Sequence, residues 1–134
     1  MRPDELRSLP LLAGISEAGL ERISAACAEL EAPAGQVLAL PDDPGSGLFV
    51  ILEGEVTVEV RSRVIRLGPG EFFGELALLV PEAGRVARVR AATDVRCLTI
   101  PRGEFLEVLD DEPRLARTLL EHVARRLVEA RSPS

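Results

Sequence analysis

Gly47-Leu48-Phe49-Val50-Ile51-Leu52-Glu53-Gly54-Glu55-Val56-Thr57-Val58-Glu59-Val60 is the stretch that decides the fold. Leu48 to Leu52 is an apolar run of β-favouring residues, too short for a helix and stopped by Glu53-Gly54. After that stop, Val56 to Val60 alternates apolar and polar with period two, which predicts a strand with one buried face. Val64-Ile65-Arg66-Leu67 continues the series, and so does Val86-Ala87-Arg88-Val89-Arg90-Ala91 further on. Turn signals recur about every ten residues, at 33–35, 41–47, 53–54, 68–70 and 81–84, the spacing of an all-β barrel or sandwich.

Both flanks read as helical. Ile15, Leu20, Ile23, Ala26 and Cys27 fall at helical spacing after a capping Ser16, which predicts a helix over residues 15–28. Pro101 opens a turn-and-helix piece through Leu109, and Pro113 starts a final helix with Leu115, Leu119, His122 or Val123, and Leu127 along one side. Residues 1–131 are expected to form one domain, and 132–134 a disordered tail.

Composition narrows the function classes. A chain of 134 residues can bury a core without disulfides or metals, and with no Trp, no Tyr and four Phe that core is aliphatic. The net charge of −6 argues against a general binder of nucleic acids or anionic membranes. Any anion site must therefore be local. Apolar runs of five residues fall far below the roughly twenty of a membrane span. Cys27 and Cys97 read as reduced, buried thiols, and the protein is expected to be cytoplasmic.

Phe72-Phe73-Gly74-Glu75-Leu76-Ala77-Leu78-Leu79 departs from strand chemistry. A glycine and good helix formers interrupt the β series, so a short helix should start near Gly74 within the sheet wall. Its first N–H groups lack internal partners and would favour an anion. Arg85 follows the Pro81-Glu82-Ala83-Gly84 turn and, by alternation, points inward with Ala87, Val89 and Ala91, while Arg88 and Arg90 point out. A buried arginine needs an anion.

The pattern resembles the cyclic-nucleotide-binding domain family of catabolite activator proteins, protein kinase A regulatory subunits and cyclic-nucleotide-gated channels. The resemblance rests on Pro33-Ala34-Gly35-Gln36-Val37, on Gly47 through Gly54, and on Phe73-Gly74-Glu75-Leu76-Ala77-Leu78 through Arg85-x-Ala87-x-Val89-Arg90-Ala91. It implies a mainly β fold, an antiparallel β-barrel of jelly-roll, double-stranded β-helix type with N- and C-terminal α-helices. It implies that Glu75 binds the ribose 2′-hydroxyl, that Arg85 binds the exocyclic phosphate, and that backbone amides of Gly74, Leu76 and Ala77 complete the cradle. Base contacts fall to Val58, Ile65 and Phe73. Val86 stands where the family often has a hydroxyl that serves guanine, so cyclic AMP is the expected ligand ahead of cyclic GMP. No Tyr or Trp is present to cap the base.

A sensor is therefore expected, not an enzyme, with no catalytic residue, no metal and no cofactor. Its output would be movement of the C-terminal helix, read by a protein partner or by a second copy in a homodimer, without nucleic acid or membrane. A cupin-type metalloenzyme needs a His and carboxylate cluster that one His cannot supply, and iron–sulfur or haem sensing needs ligands not evident here. The chain stops before a helix-turn-helix could follow, which argues against a DNA-binding regulator. The alternative is a ligand-free protein-interaction module that keeps the fold. Arg88, Arg90 and Arg96 read as solvated strand-face charges, His122 as a surface or interface residue, and Asp42-Asp43 as turn residues.

Overall fold

The computed structural model describes residues 1–39, 47–60, 63–75 and 88–131. Asp42-Asp43 and the tail at 132–134 lie outside them. The order is α1 (Pro3–Arg7), a 3₁₀ turn (Pro10–Leu12), α2 (Glu17–Ala26), β1 (Ala28–Ala32), β2 (Val37–Ala39), β3 (Gly47–Glu53), β4 (Val56–Val60), β5 (Arg63–Leu67), β6 (Phe72–Phe73), β7 (Arg88–Ala91), β8 (Val95–Pro101), α3 (Arg102–Asp111) and α4 (Pro113–Arg131). Described strands form two four-stranded antiparallel sheets, ordered β1-β8-β3-β6 and β2-β7-β4-β5.

This is the mainly β, jelly-roll class with flanking helices, but the sheets stack without closing into a barrel. Among the described residues, the edge strands β6 and β5 share no ladder, and β6, two residues long, pairs with β3 alone. Stacking also gives the first sheet two buried faces. One packs on the second sheet through Ile51, Phe73, Val95 and Cys97, against Val56, Val58, Leu67, Val89 and Ala91. The other, through Leu48, Val50, Phe72, Leu98 and Ile100, packs on the helices. A strand buried on both faces reads as a continuous apolar run, whereas Val56 to Val60 alternates because its outer face is not covered.

Ser16 caps α2 as its sequence suggests, its hydroxyl accepting from the Gly19 N–H at 3.1 Å. The same hydroxyl donates to the Glu112 carboxylate at 2.5 Å, and the Ser16 N–H donates to the other Glu112 oxygen at 2.9 Å. Glu112 joins α3 to α4, so one carboxylate ties the start of α2 to the start of α4. Leu20 and Ile23 of α2, Phe105 and Val108 of α3, and Leu115 of α4 are fully buried in the shared helix–sheet core. Sequence patterning missed α1 and the 3₁₀ turn, which are too short for a period to register, although Leu6, Leu11 and Leu12 are buried. The stripe on α4 is buried only at its start: Leu115 and Leu119 are inside, while Leu127 is 56% exposed beside the exposed Leu120 and Val128.

Both cysteines are free thiols, Cys27 half-buried and Cys97 fully buried. Burial pushes the Cys97 thiol up to about 11, so at pH 8 it is neutral as well as shielded. Maleimide at pH 8 is expected to modify Cys27 in the folded chain and Cys97 only after denaturant, read by intact mass.

Gly54, at the β3–β4 turn, has φ +84°, and a Cβ there would lie 2.2 Å from the Asp94 carbonyl oxygen. Gly35 has a similar φ of +92° but open space around it. Gly35→Ala should cost about 1–2 kcal/mol of left-handed strain. Gly54→Ala adds a backbone clash and should cost at least about 1 kcal/mol more. Urea unfolding of the two variants checks the difference; equal losses would contradict it.

Candidate functional site

The site is built where the first sheet turns out of β6. Phe73 faces the space between the sheets and stacks on Phe49, ring centroids 4.8 Å apart and planes 7° from parallel. Val58 sits opposite Ile65 on β5 and Val89 on β7, and all belong to the apolar cluster that holds Phe73, Ile65 at its partly buried margin. The three residues assigned to base contact are thus brought together on one aliphatic and aromatic wall.

Gly74 leaves the strand with φ +97°, a conformation L side chains rarely adopt, and Glu75 is already helical. The sequence placed a helix start at this point. Glu75 is 8% exposed and is the one charged residue that is buried among the described residues. A carboxylate withdrawn from water at a strand-to-helix corner needs donors or a cation. Leu76, Ala77, Arg85 and Val86, the other residues assigned to the ligand, lie outside the described residues.

His122 reaches this corner from α4. Its ring packs on Phe72 with centroids 4.1 Å apart at 36°, and its Nε2 lies 3.6 Å from Glu75 Oε1. Nε2 is buried and, among the described residues, makes no hydrogen bond. His122 is thus half-buried at the seam between α4 and the first sheet, and not an open surface residue. It continues the buried Leu115 and Leu119 stripe by one helical step from Leu119, and that spacing was the available signal.

The other strand arginines divide. Arg96 on β8 bridges Glu29 of β1 and Glu53 of β3, the latter at 2.9 Å, and those carboxylates raise its already high pKa. Arg90 Nη1 donates to the Gly35 carbonyl oxygen at 3.3 Å. These are structural charges at a half-exposed surface. Arg88 departs from the solvated reading, since its Nε is buried without a hydrogen-bond partner among the described residues. Val89 and Ala91 face inward, as alternation predicted. A separate open cleft of about 380 Å³ involves Glu31, Glu53, Asp94 and Arg96, but Glu53 and Arg96 pair with each other and Asp94 accepts from the Ala34 N–H at 2.9 Å. Among the described residues, no three His, Cys or carboxylate side chains group as metal ligands, and no helix is long and apolar enough to cross a membrane.

Comparison with known proteins bears on the same corner. Residues 29–112 match the family model described as the cyclic nucleotide-binding domain. A cyclic nucleotide-gated potassium channel of Rhizobium etli is 35% identical over 84% of this chain, which spans 31% of that channel's length. The catabolite activator protein of Thermus thermophilus superposes with a TM-score of 0.76 at 29% identity, covering 90% of this chain and 59% of that one. The regulatory subunit of a cAMP-independent protein kinase A from Trypanosoma brucei gives a TM-score of 0.80 at 25% identity, over 92% of this chain and 46% of that one. The family match runs from β1 to the end of α3 and takes in the Phe73-Gly74-Glu75 corner, and the chain belongs to the cyclic nucleotide-binding domain family.

Proposed function

We propose that this domain is a cyclic-mononucleotide sensor, with cyclic AMP preferred over cyclic GMP. The observation that carries the reading is the buried Glu75 carboxylate at the Gly74 corner, directly after Phe73 has entered the apolar wall of Val58 and Ile65. A nucleotide has the matching parts, a ribose hydroxyl for the carboxylate and a base for the wall. Arg85 would anchor the phosphate with the amides of Gly74, Leu76 and Ala77. Val86 offers no hydroxyl to a guanine amino group, which supports the preference for cyclic AMP.

The proposed work is regulatory and cytoplasmic, with no catalytic step, and its output is the placement of α4. That helix is well placed to report occupancy, because His122 touches the corner while Leu120, Leu127 and Val128 face outward. A protein partner or a second copy would cover this outward face. The second reading is a ligand-free interaction module. It is favoured by the contact that His122 already makes with Glu75, and by the similarity to the regulatory subunit of a protein kinase A described as cAMP-independent.

Calorimetric titration with cyclic AMP, cyclic GMP and 2′-deoxy cyclic AMP separates the two. Arg85→Ala is expected to lose about 2–5 kcal/mol, roughly thirty-fold to several thousand-fold in affinity. Glu75→Ala and the 2′-deoxy ligand should each lose about 1.5–3 kcal/mol, and the losses should not add because they delete the same contact. Undiminished binding by Arg85→Ala would overturn the site, and a preference for cyclic GMP beyond about tenfold would overturn the base assignment.

A further inference from the structure

The chain has a single histidine, and it is the residue that α4 sets against Glu75. Its Nε2 is 3.6 Å from Glu75 Oε1, buried, and without a hydrogen-bond partner among the described residues, while its ring is held on Phe72. A neutral imidazole can offer the carboxylate one N–H but no charge. A protonated one brings a cation to a carboxylate that is itself almost wholly removed from water. The contact becomes an ion pair only when the imidazole carries a second proton, and histidine is the side chain for which a pH series is the direct probe.

We propose that His122 is a positioning residue for the nucleotide site: protonated, it holds the Glu75 carboxylate through one oxygen and leaves the other for the ribose hydroxyl, so that nucleotide affinity rises as pH falls. This rests on the cyclic-nucleotide reading of the site. Two physical effects act in the same direction. The imidazolium fixes the rotamer of Glu75 before the ligand arrives, which lowers the ordering cost of binding. It also offsets a negative charge that would otherwise repel an anionic ligand. The carboxylate has lone pairs enough for both partners.

Among the described residues, the charges on the elements packed against α4 leave the histidine as the switch. Arg125 and Arg126, one turn further along α4, keep their charge throughout this range, and Glu121 pairs with Arg117 at 3.2 Å. The 3₁₀ turn packed on α4 carries no ionisable side chain, and the α3 carboxylates Glu107 and Asp111 are engaged by Arg22. Among the described residues, Glu75 is the acid recorded beside His122.

Cyclic AMP affinity measured by calorimetry from pH 5.5 to 8.5 tests the proposal. Wild type should bind about three- to tenfold more tightly at the acid end, the effect of one partly screened charge pair. His122→Gln should bind with a flat profile at the alkaline level, and His122→Arg, a permanent cation, with a flat profile at the acid level. A wild-type slope retained in His122→Gln would overturn the proposal.

Melting of the ligand-free chain distinguishes failure of this proposal from failure of the nucleotide reading. A double-mutant cycle of His122→Gln and Glu75→Gln should show coupling in Tm at pH 6 that disappears at pH 8. Coupling without any nucleotide affinity would overturn the sensor reading and the affinity claim but keep the pairing. No coupling at either pH would overturn the pairing itself.

Discussion

Phe72 and Phe73 are successive residues of a strand, so they must face opposite sides of their sheet, and both sides are buried. That constraint joins the two halves of the molecule. Phe72 belongs to the core between sheet and helices, where it carries His122; Phe73 belongs to the core between the sheets, where it stacks on Phe49. A displacement of this short strand is felt in both cores at once. Gly74 and Glu75 follow immediately, so their corner is attached to a short segment that both cores grip.

The helix layer is held to the sheet mainly by apolar burial, with Leu6, Leu20, Ile23, Phe105 and Leu115 wholly inside. At roughly 25 cal/mol per Å² of apolar surface, each such side chain contributes on the order of 2 kcal/mol, more than any exposed ion pair on this surface. Glu112 adds direction to that burial, since its carboxylate is shared with the backbone and hydroxyl of Ser16. The start of α4 is therefore fixed. Beyond His122 the apolar residues Leu127 and Val128 face outward. A helix anchored at one end and touching the site in its middle can transmit a small movement of the corner to a surface further along.

Most of the sheet architecture was legible in the sequence because strand burial writes itself as pattern. Leu48 to Leu52, buried on both faces, reads as a run; Val56 to Val60, buried on one, reads as alternation. Barrel closure was not legible, since it depends on how the edge strands meet and not on any one strand's period. The Gly74-Glu75 corner was legible because a glycine and helix formers break a β series. Its partner on α4 was legible only in part, because the spacing put either His122 or Val123 on the buried stripe, and the packing on Phe72 settles which.

If the corner and the helix are one device, nucleotide at the corner must alter α4 at a distance from any ligand atom. Hydrogen exchange with and without saturating cyclic AMP measures this most directly, since it reports each amide of Pro113–Arg131 separately from those of β6 and β7. The account predicts altered protection along α4 on both sides of His122, together with protection at Phe72 to Glu75. Protection confined to the sheets, with the amides of α4 unchanged, would contradict it and would leave a domain that holds a nucleotide without relaying its presence.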